Sequence, residues 1–205
     1  TKGILAISLG RHGGSEARKL LLSELKKGAR TRRVWAAFGL ALLAREKPSS
    51  KVREALRRAR KKERNREAFA ASLLASGIAR DLESIPHFVH ELRTGESALI
   101  RTAAADALVM VGGHGARGAL IESLEKRENA KLKAHIATIL GYFGNRDDAP
   151  LITKLLASTK HVRLRSALAR SLGYLGNTNA CRQLEAIISK PSESGYLRAA
   201  AIDGL

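Results

Sequence analysis

One short pattern recurs seven times along the 205 residues and limits the fold more than any other feature. Aligned on a basic residue, the segments open at Lys2, Arg33, Arg66, Arg101, Lys133, Arg165 and Arg198. Four places on stands alanine (Ala6, Ala37, Ala70, Ala105, Ala137, Ala169), with Ile202 in the last segment. Seven places on stands leucine every time: Leu9, Leu40, Leu73, Leu108, Leu140, Leu172 and Leu205. Eleven places on comes glycine (Gly13, Gly77, Gly112, Gly144, Gly176), with Ala44 as the exception. Successive leucines lie 31, 33, 35, 32, 32 and 33 residues apart. A near-constant pitch of this length marks a repeat architecture.

Each column has a physical reading. Apolar residues three, four and seven places after the basic one form a stripe with helical spacing. Alanine lets neighbouring backbones approach, and leucine fills the groove between them. The glycine column predicts a helix end in the left-handed conformation, which glycine adopts without a Cβ clash. A second amphipathic segment follows each glycine, with its own start signals at Ser15, Ser49-Ser50, Asp147-Asp148 and Thr178, and with Pro86 and Pro150 early in their segments. A lone helix pair cannot bury its own apolar stripe, so the pairs must stack. The prediction is an all-α fold, an α-solenoid of about six helix pairs in a single domain over residues 1–205. The chain starts and stops inside the pattern without a visible polar cap, as expected of a fragment of a longer protein.

His161-Val-Arg163-Leu-Arg165-Ser-Ala-Leu-Ala-Arg-Ser-Leu-Gly-Tyr-Leu-Gly176 and Ala149-Pro150-Leu-Ile-Thr-Lys-Leu-Leu156 resemble the short HEAT-like repeat of the phycobilisome-lyase type. The resemblance extends over essentially the whole chain. It implies that the basic-led helix is the second of each pair and lines the concave side. It also implies that an acid in the preceding loop partners the basic residue. Five places before the openers stand Gly28, Lys61, Glu96, Glu128, Lys160 and Glu193, so half of those acids are missing.

Charge is the second constraint. The chain carries 37 Lys and Arg against 19 Asp and Glu, a net +18. Residues 1–66 hold 20 basic and 5 acidic side chains, leaving 17 and 14 for the remainder. A positive field this concentrated attracts acidic protein surfaces or phosphates, and it also serves as a solvated face. Arg53, Arg57, Arg60 and Lys61 fall on one helical face, with Arg58 and Lys62 adjoining. Lysine and arginine oppose the dipole at a helix N-terminus, so seven basic openers need compensation. Two readings account for them: a ladder of bonds to loop carbonyls and acids, or a row of anion sites. Without an acid five places back, Arg33 and Arg66 are the anion candidates, flanked by Arg30, Arg32 and Arg64; Arg101, Lys133 and Arg198 fit the ladder. The expected partner is an acidic protein or a nucleic acid bound without regard to sequence.

Met110, Tyr142 and Tyr174 share a place in successive repeats and could form a sticky strip or close gaps between helices. Trp35 and Phe38 sit at core-like positions. His87, His90 and Glu91 lie within one turn, which supplies at most part of a metal shell. His90-Glu91 is one His-Glu pair, where the HEAT-like deoxyhypusine hydroxylases carry several. Gly112-Gly-His-Gly115 lacks the Gly-Lys-Ser/Thr of a P-loop. HEAT-like folds also include alkylpurine DNA glycosylases and phycobilin lyases, but no motif here matches their active residues. No catalytic residue, metal or cofactor is therefore assigned. One cysteine, Cys181, excludes an internal disulfide, and no apolar run approaches the roughly 20 residues of a membrane helix.

Overall fold

The computed structural model describes residues 2–126, 129–176 and 178–205, and is all-α, with no strand among the described residues. The chain divides into two compact units, one up to Ala119 and one over Leu120–Leu205. In the first, α1 (Lys2–His12), α3 (Arg30–Glu46), α5 (Arg66–Ile78) and α7 (Ala98–Val111) pack each against the next as one layer. Outside it lie α2 (Ser15–Lys27), α4 (Ser50–Lys62) and α6 (Ile85–Thr94), each against the helix that follows. The division falls within α8 (His114–Glu125). In the second unit α9 (Ala130–Phe143), α11 (Val162–Leu175) and α13 (Gly195–Ile202) form the inner layer. There α10 (Ala149–Ser158) and α12 (Thr178–Ile188) lie outside. Stacked helix pairs in each unit are the construction of an α-solenoid.

The columns bury as their spacing predicts in the internal segments, whereas Leu9 is half-buried and Ile202 and Leu205 in the last segment are exposed. Leu40, Leu73, Leu108 and Leu172 are fully buried, and Leu140 nearly so. Each buried leucine contributes roughly 1.5–3 kcal/mol of transfer free energy. Ala37, Ala70, Ala105, Ala137 and Ala169 are buried beside them. Small residues set how close the inner helices come. A Cβ on Gly10 would stand 2.5 Å from the Gly39 carbonyl oxygen, one on Gly77 2.7 Å from Ala107 Cα, and one on Gly141 2.7 Å from Ser171 Cα.

The glycine column works differently from its prediction at some positions. Gly176 (φ 59°) and Gly112 (φ 73°) take positive φ directly after their helices. Gly77 instead lies inside α5, where its task is the close approach to α7. The left-handed residue there is Arg80, whose N–H reaches the Gly77 carbonyl while that of Asp81 reaches Ser76. Where Ala44 replaces glycine, α3 continues to Glu46. Ser49, Asn65, Ser97, Asn129 and Ser194 supply side-chain caps at helix N-termini.

Gly141→Ala forces α9 and α11 apart and should cost about 1–3 kcal/mol. Gly118→Ala, on α8 with open space around it, should add about 0.5–1 kcal/mol through helix propensity. Thermal denaturation checks both, with the melting temperature falling for the first and rising for the second.

Candidate functional site

Five of the basic openers, Arg33, Arg66, Lys133, Arg165 and Arg198, are tied to neighbouring segments of their units. Arg33, Arg101, Lys133, Arg165 and Arg198 are each the fourth residue of their helices, not the first. From there a side chain tilts back over the first turn toward the preceding loop. Three reach carbonyls near the end of the preceding outer helix: Arg33 donates to Gly28 at 3.2 Å, Lys133 to Leu124, and Arg198 to Ile188 at 3.1 Å. A cation at a helix C-terminus is favourable, which offsets its place near the N-terminus of its own helix.

The acids run in the opposite register from that expected. Arg33 bonds Glu63 at 3.0 Å, Arg66 lies 3.4 Å from Glu96, and Arg165 grips Glu193 through two bonds of 2.7 and 2.9 Å. Each acid sits in the loop before the next inner helix, so it serves the repeat behind it. This corrects the reading of Arg33 and Arg66 as unpartnered anion sites and the assignment of Glu96 to Arg101 and Glu193 to Arg198. Glu128 lies outside the described residues. Burial works to raise the Glu63 carboxyl, but the Asn65 N–H and Arg33 outweigh it and hold it below the ordinary range. The paired Arg165 guanidinium holds Glu193 low.

Helix α4 divides its cations between two faces. Arg53, Arg57 and Arg60 all reach the α5–α6 turn. Arg53 donates to the Ala79 carbonyl at 3.0 Å, and Arg57 pairs with Asp81 at 3.0 Å and Glu83 at 2.6 Å. Arg60 is buried, bonded to Ser76 (2.8 Å) and Ser84 (3.0 Å), with its guanidinium 5.6 Å from the Phe88 ring centre. Desolvation is the main cause that brings its pKa down to about 10, against the pull of Asp81. The face expected to read phosphates is thus the seam to the following helix pair, and Arg60 is no surface residue. Arg58 pairs with Glu54, and Arg32 lies 3.4 Å from Glu24. Arg30, Lys61, Lys62 and Arg64 are exposed and make no ion pair among the described residues.

The opposite face of α4 borders a groove of about 740 Å³ between α2 and α4, floored by α3 and α5. Leu22, Leu25, Val34, Ala37, Ala55 and Ala59 make it apolar. Lys26, Lys51 and Lys62 stand along it, exposed and unpaired among the described residues, together with the Arg33–Glu63 and Arg58–Glu54 pairs. Sequence reasoning missed Lys26 and Lys51 as site residues. Their signal was present in the spacing of Lys51, Arg58 and Lys62, which share a helical face turned away from Arg53, Arg57 and Arg60.

Other candidates are placed as follows. In the second unit the Tyr142 and Tyr174 rings stack with centres 4.6 Å apart and hydroxyls 3.3 Å apart, and both are exposed. Hydrogen bonding to Tyr142 raises the Tyr174 hydroxyl pKa. Met110 is exposed on α7 in the first unit. Trp35, also partly exposed, packs over Gly3 and lies 6.2 Å from Phe38. His87 is desolvated beside Arg60, His90 and Lys61, which lowers its pKa to about 4. His90 meets Thr94 at 3.2 Å. Among the described residues no three of His, Cys, Asp and Glu converge as metal ligands. No described helix is long and apolar enough to cross a membrane.

Residues 118–205 match a family model described as HEAT repeats. Among solved structures it is similar to human deoxyhypusine hydroxylase in complex with glycerol. That likeness has 20% identity and a TM-score of 0.50, over 99% of this chain and 77% of the other. It shows the fold. No curated protein sequence matches the chain.

The Arg165–Glu193 pair gives a pH test. A carboxylate held below its ordinary value of 4.5 adds stability above that value and loses it as pH falls through the lowered one. The melting temperature of Glu193→Gln should lie below wild type at neutral pH. That gap should close below about pH 4.5, measured by circular dichroism melts across pH.

Proposed function

We propose that the chain is a non-catalytic HEAT-repeat scaffold that offers the basic surface of its first unit to an acidic protein. The proposal includes the finer placement of its repeats in the short phycobilisome-lyase type, supported by their pitch and their alanine, leucine and glycine columns. One observation carries the choice of partner. The seam uses Arg53, Arg57 and Arg60, and three of the remaining cations, Lys26, Lys51 and Lys62, surround an apolar groove. A protein partner can fill such a groove with side chains and meet the lysines with carboxylates. A phosphodiester backbone would gain from the lysines alone.

Nucleic acid is the second reading, supported by the exposed Arg30, Lys61, Lys62 and Arg64 beside the paired Arg66. About four neutralised phosphates would give a slope near −3.6 for log K against log salt on duplex DNA. Affinity capture from cell extract, with and without nuclease, separates the two. The protein reading predicts that captured protein persists after nuclease and is lost with the Lys26→Glu/Lys51→Glu/Lys62→Glu variant. Loss of all captured material on nuclease treatment, with mixed-sequence duplex binding at that salt slope, would establish the nucleic-acid reading instead.

A further inference from the structure

The geometry points to an amphipathic helix with acidic flanks as the occupant of the α2–α4 groove. This rests on the acidic-partner reading and names the form the partner takes. The groove follows α4 from Lys51 to Lys62, a length of about 16 Å or three helical turns. Its volume, about 740 Å³, lies within the range of about 300–1,000 Å³ typical of ligand clefts.

Backbone chemistry selects a helix over an extended peptide. The walls and floor are all helical, so the groove presents no strand edge with free N–H and C=O groups. An extended peptide on Leu22, Leu25 and Val34 would bury its own amides without partners, and each buried orphan is costly. A helix satisfies its backbone internally and turns an apolar stripe to the floor, which is how helix-in-groove complexes form. The small Ala55 and Ala59 leave the α4 wall low enough for ridges to enter. Lys26 on α2 and Lys51 and Lys62 on α4 all line the groove, so the helices on both sides of it contribute positive charge to an incoming helix. The acids of the groove, Glu54 and Glu63, are already paired with Arg58 and Arg33. They leave the lysines for the partner's carboxylates.

The test uses the full chain and fluorescence anisotropy with a labelled 14-residue peptide, leucines at helical spacing and glutamates on the flanks. The control is a scrambled peptide of the same composition. The amphipathic peptide should bind at least tenfold tighter than the scramble. Ala55→Trp, which fills the groove from its wall, should remove at least tenfold of that affinity. If that variant fails to fold, Lys51→Cys in a Cys181→Ser background, alkylated with a bulky maleimide after folding, blocks the same space. Equal binding of the two peptides, or full affinity with the groove blocked, overturns the helix inference. In that case loss of both peptides in Lys26→Glu/Lys51→Glu/Lys62→Glu preserves the acidic-partner reading. Absence of binding by either peptide overturns the inference and that reading together.

Discussion

The close approach of one inner helix to the next is the contact on which the rest of the structure depends. Each pair leaves an apolar stripe that only the neighbouring pair can cover. Coverage requires small residues where backbones meet, as Gly10 does against Gly39, Gly77 against Ala107, and Gly141 against Ser171. The leucines then fill what remains, and Leu40, Leu73, Leu108 and Leu172 lose all contact with water. Position along the stack decides which side chains are left for function.

Arginine shows this most clearly. Its fork can bond a helix-end carbonyl and a carboxylate at once, as Arg33 does with Gly28 and Glu63. The same chemistry sends Arg53, Arg57 and Arg60 into the turn after α5. Asp81, buried there, accepts from both Arg57 and Ser84. Much of the positive charge in the first unit is therefore structural. The lysines, compact point charges on flexible stems, stay in solvent at the groove.

The fold was legible because its signals are local. Helical spacing, caps and the alanine and leucine columns act within one or two turns, and they placed the inner helices directly. Pairing between repeats was not legible, because Arg165 meets Glu193 across 28 residues and Arg33 meets Glu63 across 30. An acid five places before an opener read as its partner, whereas the stack assigns that acid to the repeat behind. Arg60 looked like one more cation in a basic run. Only the arrival of Ser76, Ser84 and Phe88 from other helices makes it a buried residue. The groove was hidden for the same reason. Its floor comes from α3 and α5, and sequence spacing alone does not say which face of α4 the following turn covers.

The division of charge on α4 is the central claim, and it can be measured by removing charge from one face at a time. Arg53→Gln with Arg57→Gln takes away the bonds to Ala79, Asp81 and Glu83 and should lower the melting temperature by roughly 5 °C or more. Lys51→Gln with Lys62→Gln removes as much charge from the groove and should leave it within about 1 °C. Equal losses from the two faces, or no loss from the arginine pair, would contradict the account.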